Sequence, residues 1–115
     1  MKVAWGLRKK RDFQNVYENG KTFADRLMVM KMLPNGLDVA RYGFSVGKRV
    51  GQATVRNHVK RRLREITRAQ PTRPGWDVIF IARPAIAGAK YPEISQSVQG
   101  LLSRARLLRD ETTGT

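Results

Sequence analysis

The sequence predicts a single mixed α/β (α+β) domain, and three observations lead there. A chain of 115 residues is long enough for one compact core and too short for two ordinary domains. Stretches of helical period at residues 10–19, 52–69 and 94–108 alternate with short strand-like runs at 27–33, 41–46 and 78–82. Pro and Gly punctuate the junctions between them.

The elements follow in chain order. From Lys10 to Asn19, Phe13, Val16 and Tyr17 fall at i, i+3 and i+4, and Gly20 follows as a helix-stopping C′ residue. Leu27 to Leu33 is apolar apart from Lys31 and ends at Pro34-Asn35-Gly36, which predicts a strand buried on both faces or at a sheet centre, and a turn. Arg41 to Val46 predicts a second strand, with Leu37 to Ala40 as the rest of a hairpin connection. From Gln52 to Ala69 the period is 3.6, and Val55, Val59, Leu63 and Ile66 fall within one arc of about 80°. Pro71 and Pro74-Gly75 end that helix, and Val78-Ile79-Phe80-Ile81-Ala82 reads as a buried strand closed by Pro84. Ile94, Val98, Leu101, Leu102, Ala105 and Leu108 recur at helical spacing, with Pro92 suited to the first turn and Gly100 a weak point inside. This third helix is expected to cover a sheet face. Residues 1–109 are read as one domain and the polar segment 110–115 as a frayed tail.

Composition narrows the function. Lys and Arg number 23 against 9 Asp and Glu, a net charge of +14, which calls for a polyanionic partner unless it serves only as a solubilising surface. Hydrophobic residues at 41% allow a core, so the chain is not a disordered basic tail. No apolar run approaches the roughly 20 residues of a spanning helix, Met1 to Gly6 is too short for a signal peptide, and no lipidation motif occurs. A cytoplasmic protein without membrane partners is expected. The absence of cysteine removes disulfides, thiolate zinc sites and Cys nucleophiles together.

The charge concentrates on the second helix. Opposite its apolar arc stand Asn57, Lys60, Arg61, Arg64 and Arg68, with Arg56 on the flank and Lys48 and Arg49 extending the patch from the preceding loop. Like charges at i, i+4 destabilise an isolated helix by a few tenths of a kcal/mol each. Glu65 alone offers local relief. A polyphosphate partner converts that penalty into affinity by releasing condensed counterions. His58, the only histidine, lies at the edge of the arc and is expected to pack half-buried. Arg62 falls inside the arc and must snorkel from it or lie where the helix overhangs the sheet. No second His, no Cys and no cluster of acids accompanies His58, so neither catalytic residues nor metal ligands are assigned to the protein. Phe13 and Tyr17 are equally well read as core residues or as base-stacking platforms.

The run Gly47-Lys48-Arg49-Val50-Gly51-Gln52-Ala53-Thr54-Val55-Arg56-Asn57-His58-Val59-Lys60-Arg61-Arg62-Leu63-Arg64-Glu65 closely resembles the signature of the bacterial ribonuclease P protein family, approximately A-V-x-R-N-R-x-K-R-x-x-R. Arg56, Asn57, Lys60, Arg61 and Arg64 match it, while His58 replaces the second arginine of the Arg-Asn-Arg triplet and Thr54 an apolar residue. Leu7-Arg8-Lys9, Asp12-Phe13-Gln14-Asn15-Val16-Tyr17 and Gly20-Lys21 are similar to the family's opening, and the similarity runs to about Ala82.

This resemblance implies a two-layer α/β sandwich: a mixed, mainly antiparallel central sheet with flanking helices and a left-handed βαβ crossover through the basic helix. The hand runs against the general rule. It implies that Lys48, Arg49, Arg56, Asn57, His58, Lys60, Arg61, Arg64 and Arg68 face the catalytic ribonuclease P RNA. A cleft formed by Phe13, Tyr17, Val29 and Lys31 would receive the single-stranded 5′ leader of precursor tRNA; many relatives carry an aromatic where Lys31 stands. The RNA would hold the catalytic Mg2+, and one protein monomer would join one RNA in assisting endonucleolytic removal of the leader. The competing reading is a structural RNA-binding protein, ribosomal in character, with no part in cleavage.

Overall fold

The structure, a computed structural model, describes residues 3–7 and 9–109. Arg8 of the opening motif and the segment 110–115 read as a frayed tail lie outside the described residues. The chain forms β1 (Val3–Trp5), α1 (Lys10–Asn19), β2 (Lys21–Ala24), β3 (Met28–Pro34), β4 (Ala40–Ser45), a 3-10 turn at Lys48–Val50, α2 (Ala53–Arg68), β5 (Trp76–Ala82), a 3-10 turn at Pro84–Gly88 and α3 (Tyr91–Arg104). The strands make one mixed sheet in the order β1-β4-β5-β3-β2. Its longest pairing, β3 with β5, is antiparallel, as is β2 with β3, whereas β1–β4 and β4–β5 are parallel. The β4-α2-β5 unit, joining parallel neighbours through the basic helix, is the crossover that the resemblance implies.

The most apolar strand takes the centre. Val78, Ile79 and Phe80 of β5 are fully buried, which suits a strand covered on both faces. The principal core fills the space between the sheet and the layer made by α2 and α3, where Met28, Met30, Met32, Tyr42, Val78 and Phe80 meet Val59, Leu63, Ile66, Ile94, Val98 and Leu101. Tyr42, Phe44 and Phe80 stack at centroid separations of 6.3–6.4 Å. Burial pushes the Tyr42 phenol pKa up, and its hydroxyl hydrogen-bonds that of buried Thr72. On the opposite face α1 alone packs, with Leu7, Val16 and Ile79 buried and Phe13, Leu33 and Ile81 partly so.

Several expectations are corrected. Residues 37–40 do not complete a hairpin, because β5 inserts between β3 and β4 and pairs with both. The run 27–33 is not buried on both faces: Met28, Met30 and Met32 point into the main core, while Val29, Lys31 and Leu33 stay half-buried beneath α1. Gly20 ends α1 in extended rather than left-handed backbone, and its lack of a side chain serves close approach, since a Cβ there would lie 2.5 Å from Val16 O and 2.8 Å from Met32 O. The third helix stops at Arg104, leaving Ala105 and Leu108 beyond it. The edge strands β1 and β2 were not foreseen; at three and four residues they are too short to show a period.

Candidate nucleic-acid interface

The basic helix is positioned from both ends. Val46 and Val50 anchor the loop before it in the core, which turns Lys48 and Arg49 outward to solvent. Gly51, at φ 155°, makes the bend into α2 at a conformation that side chains rarely adopt. Val59, Leu63, Ile66 and Thr67 then bury one face of α2, with the Thr67 hydroxyl donating to Leu63 O at 2.8 Å. The opposite face is left to water: Asn57, Arg61, Arg64 and Arg68 are exposed, and Lys60, Arg56 and Arg62 are half-buried, as expected for side chains that snorkel.

Two residues sit differently from expectation. Val55 is 36% exposed, and His58 is exposed rather than half-buried. The helix begins on the Lys48–Val50 turn rather than over the sheet, so its first buried residue is Val59. His58 is thereby placed with the basic face.

Electrostatically much of this face is uncompensated. Lys60, Arg61 and Arg64 have no ion pair among the described residues, and no acidic residue lies in the first turn of α2. Its N-terminus also lacks a side-chain cap, so backbone N–H groups add to the attraction for anions. The Nε of Arg56 is the one buried side-chain polar atom without a hydrogen-bond partner among the described residues.

The second set of residues gathers on the other face of the sheet. Phe13 and Tyr17 lie 6.3 Å apart, centroid to centroid, along α1. Val29 and Lys31 lie two residues apart on β3 and so share a face, opposite Ile81 and Ile79 of β5. Lys31 Nζ donates to Thr22 Oγ1 at 2.9 Å and reaches Tyr17 O at 3.4 Å, which sets its charge at the carbonyl end of α1. Tyr17 is exposed; Phe13, Val29 and Lys31 are half-buried. The structure thus ties Phe13 and Lys31 each to Tyr17 and sets Val29 on the same face of β3 as Lys31.

Of the four, Phe13 also neighbours the basic helix. Past Trp5 no described strand pairs with the outer edge of β4. Around that edge Phe13 from one face and Lys60 and Arg64 from the other line a single hollow with Gly6, Leu7 and Gly43. Gly43 was not singled out from the sequence. A Cβ at this position would stand 2.7 Å from Phe13 Cζ, so glycine is what lets the Phe13 ring lie on the sheet. A glycine inside a strand is a signal of close approach that could have identified it.

A third group fixes α1. Asp77, buried on β5, accepts from Arg41 Nε at 2.8 Å and Nη2 at 2.7 Å, and from Asn35 Nδ2 at 2.9 Å, while Arg41 Nη1 lies 3.7 Å from Asp12 Oδ2 in the first turn of α1. The hydrogen bond to Asp77 raises the Arg41 pKa, so the guanidinium stays charged. No group of three or more His, Cys, Asp or Glu that could hold a metal ion occurs among the described residues, and no described helix is long and apolar enough to cross a membrane.

Comparison with known proteins places the chain in a family. Residues 1–106 match the model of the Ribonuclease P family. A ribonuclease P protein component of Caldanaerobacter subterraneus subsp. tengcongensis is 44% identical over 107 residues, covering 91% of this chain and 92% of that protein. One from Dehalococcoides mccartyi is 43% identical, covering 98% and 96%. Among solved structures, an RNase P protein of Staphylococcus aureus superposes with a TM-score of 0.83 at 31% identity, covering 94% of this chain and 100% of that one. The RNase P protein of Thermotoga maritima gives 0.79 at 31%, covering 85% and 94%. With sequence and fold in agreement over nearly its whole length, the chain belongs to the ribonuclease P protein family.

Proposed function

We propose that this protein binds ribonuclease P RNA through α2 and its preceding loop, and presents the α1 cleft to the 5′ leader of precursor tRNA, so assisting removal of the leader. The observation that carries this reading is the hollow at the β4 edge, where Phe13 meets Lys60 and Arg64. A single strand leaving the cleft meets phosphate-binding cations without leaving the protein. Lys48, Arg49, Arg56, Asn57, His58, Lys60, Arg61, Arg64 and Arg68 supply the RNA face.

The protein in this reading does not carry the reacting groups. The donor set needed for a metal site is missing among the described residues, and the exposed His58 has no acidic or histidine partner there. The magnesium ions that activate water for phosphodiester hydrolysis belong to the RNA. What this chain contributes is charge and orientation: its cations lower the repulsion between two polyanions and reduce the magnesium concentration that the complex needs. One monomer acts with one RNA, in the cytoplasm.

Reconstitution tests this directly. The protein, a bacterial ribonuclease P RNA and precursor tRNA at low magnesium should yield mature 5′ ends only when protein and RNA are both present. Cleavage by protein freed of RNA, or a magnesium requirement that the protein does not change, would overturn the reading.

A further inference from the structure

A second group of cations lies past the C-terminal end of α2. Segments 71–73 and 107–109 are clasped antiparallel: the Arg73 amide donates to Leu107 O and the Arg109 amide to Pro71 O, both at 2.7 Å, and Thr72 bridges to Leu108. Thr72 and Leu107 are buried, which throws Arg73, Arg106 and Arg109 outward. These three arginines line a shallow hollow with Ser103 and Leu108. All three are exposed, and none has a side-chain hydrogen bond or ion pair among the described residues.

Arg106 is the informative one. It ends α3 in a Schellman turn, with the Leu107 amide donating to Leu102 O at 2.9 Å and the Arg106 amide to Ser103 O at 3.0 Å. The residue at that corner must be left-handed, and Arg106, at φ 59°, is the only non-glycine residue with positive φ among the described residues. Glycine is the usual occupant because a Cβ is disfavoured there. A left-handed residue that carries a cation into an open hollow points to a ligand rather than to packing. Cations also stabilise the carbonyl end of a helix, but Arg104 already stands in the last turn of α3 and donates to Ala24 O at 3.0 Å. Ending the helix does not require an arginine at 106.

We propose that Arg73, Arg106 and Arg109 form a second phosphate-binding site for RNA, continuing the cationic track of α2 beyond Arg68. Guanidinium groups suit phosphate through paired, charge-assisted N–H donors. Arg73 follows Arg68 by five residues, a reach of at most about 18 Å, so one folded RNA can meet both. The identity of the RNA rests on the function proposed above; the phosphate chemistry does not.

Binding of the full chain to ribonuclease P RNA, to precursor tRNA and to mature tRNA, each across a salt series, tests the site. The full chain matters because Asp110 and Glu111 follow Arg109 in the sequence. Arg106→Gly should melt no lower than the parent protein, yet bind RNA several-fold more weakly, with a log-log salt slope shallower by about 0.7–0.9. Arg73→Gln with Arg109→Gln should flatten it by about twice as much. Loss confined to ribonuclease P RNA assigns the phosphates to that subunit, and equal loss for both tRNAs assigns them to the tRNA body; either supports the site. Unchanged slopes on all three RNAs, or an Arg106→Gly protein that melts lower and binds as before, overturns it. If the parent protein binds both tRNAs but not ribonuclease P RNA, the functional reading fails, and the tRNA arms still decide this site.

Discussion

On one face of the sheet α2 and α3 together bury Met28, Met30, Met32, Tyr42, Val78 and Phe80; on the other α1 alone covers Ile79, while Phe13, Leu33 and Ile81 stay half-buried. The thick face carries the stability of the domain. The thin face leaves its apolar surface partly in water. The charge follows the same division of labour, because a helix needs only one buried stripe to be held. Val59, Leu63 and Ile66 hold α2, and its outer surface is free to carry cations that would be costly anywhere in a core.

The largest expected effect lies on the thick face. Phe80 is fully buried and stacked with Tyr42 and Phe44. Phe80→Ala should cost about 3–5 kcal/mol in urea unfolding. A loss below about 1 kcal/mol would break the claim that stability resides there.

Next is the network that ties α1 down. Arg41→Met leaves the Asp77 carboxylate buried, with Asn35 as its remaining side-chain donor among those described, and removes the contact to Asp12. A loss of about 2–4 kcal/mol is expected, reduced from the fully buried case because Arg41 is partly exposed. Amide hydrogen exchange in α1 should quicken more than in α2. Equal quickening in both helices would show that the two faces do not open independently.

A smaller effect is expected in the cleft. Stacking on an aromatic platform contributes about 1–3 kcal/mol per base, so Phe13→Ala should weaken precursor tRNA binding roughly tenfold and leave mature tRNA nearly unaffected. The half-buried ring also packs over Gly43, so some stability is lost in either case. Equal loss for both RNAs would make Phe13 a packing residue only. Gly43→Ala sharpens the point, since its Cβ would displace the ring without removing it. It should reproduce part of the Phe13→Ala defect.

What could be read from the sequence was whatever is local. The bounds of α1 and α2, the apolar stripe Val59-Leu63-Ile66 and the cations opposite it all follow from a 3.6 period within one segment. Strand order could not be read this way. Apolar runs do not state their partners, and β5, coming late in the chain, inserts between β3 and β4. Exposure of Val55 and His58 depends on where α2 first meets the sheet, which a helical projection ignores. The hollow at the β4 edge was equally hidden, because Phe13 and Lys60 come from helices on opposite faces and meet only where β1 stops short.

The smallest effect per residue belongs to the cations, and it tests whether the two faces work together. Lys60→Ala and Arg64→Ala should each flatten the log-log salt dependence of binding to ribonuclease P RNA by about 0.7–0.9 while leaving the melting temperature nearly unchanged, since neither side chain helps to bury α2. A lowered melting temperature with an unchanged slope would mean that the two side chains act in packing. Both also line the hollow with Phe13, which allows a finer measurement. If one strand touches both residues, combining Phe13→Ala with Arg64→Ala should give a non-additive loss for precursor tRNA and an additive one for mature tRNA. Additivity for both RNAs would separate cleft from basic helix and leave the hollow as a gap between two independent surfaces.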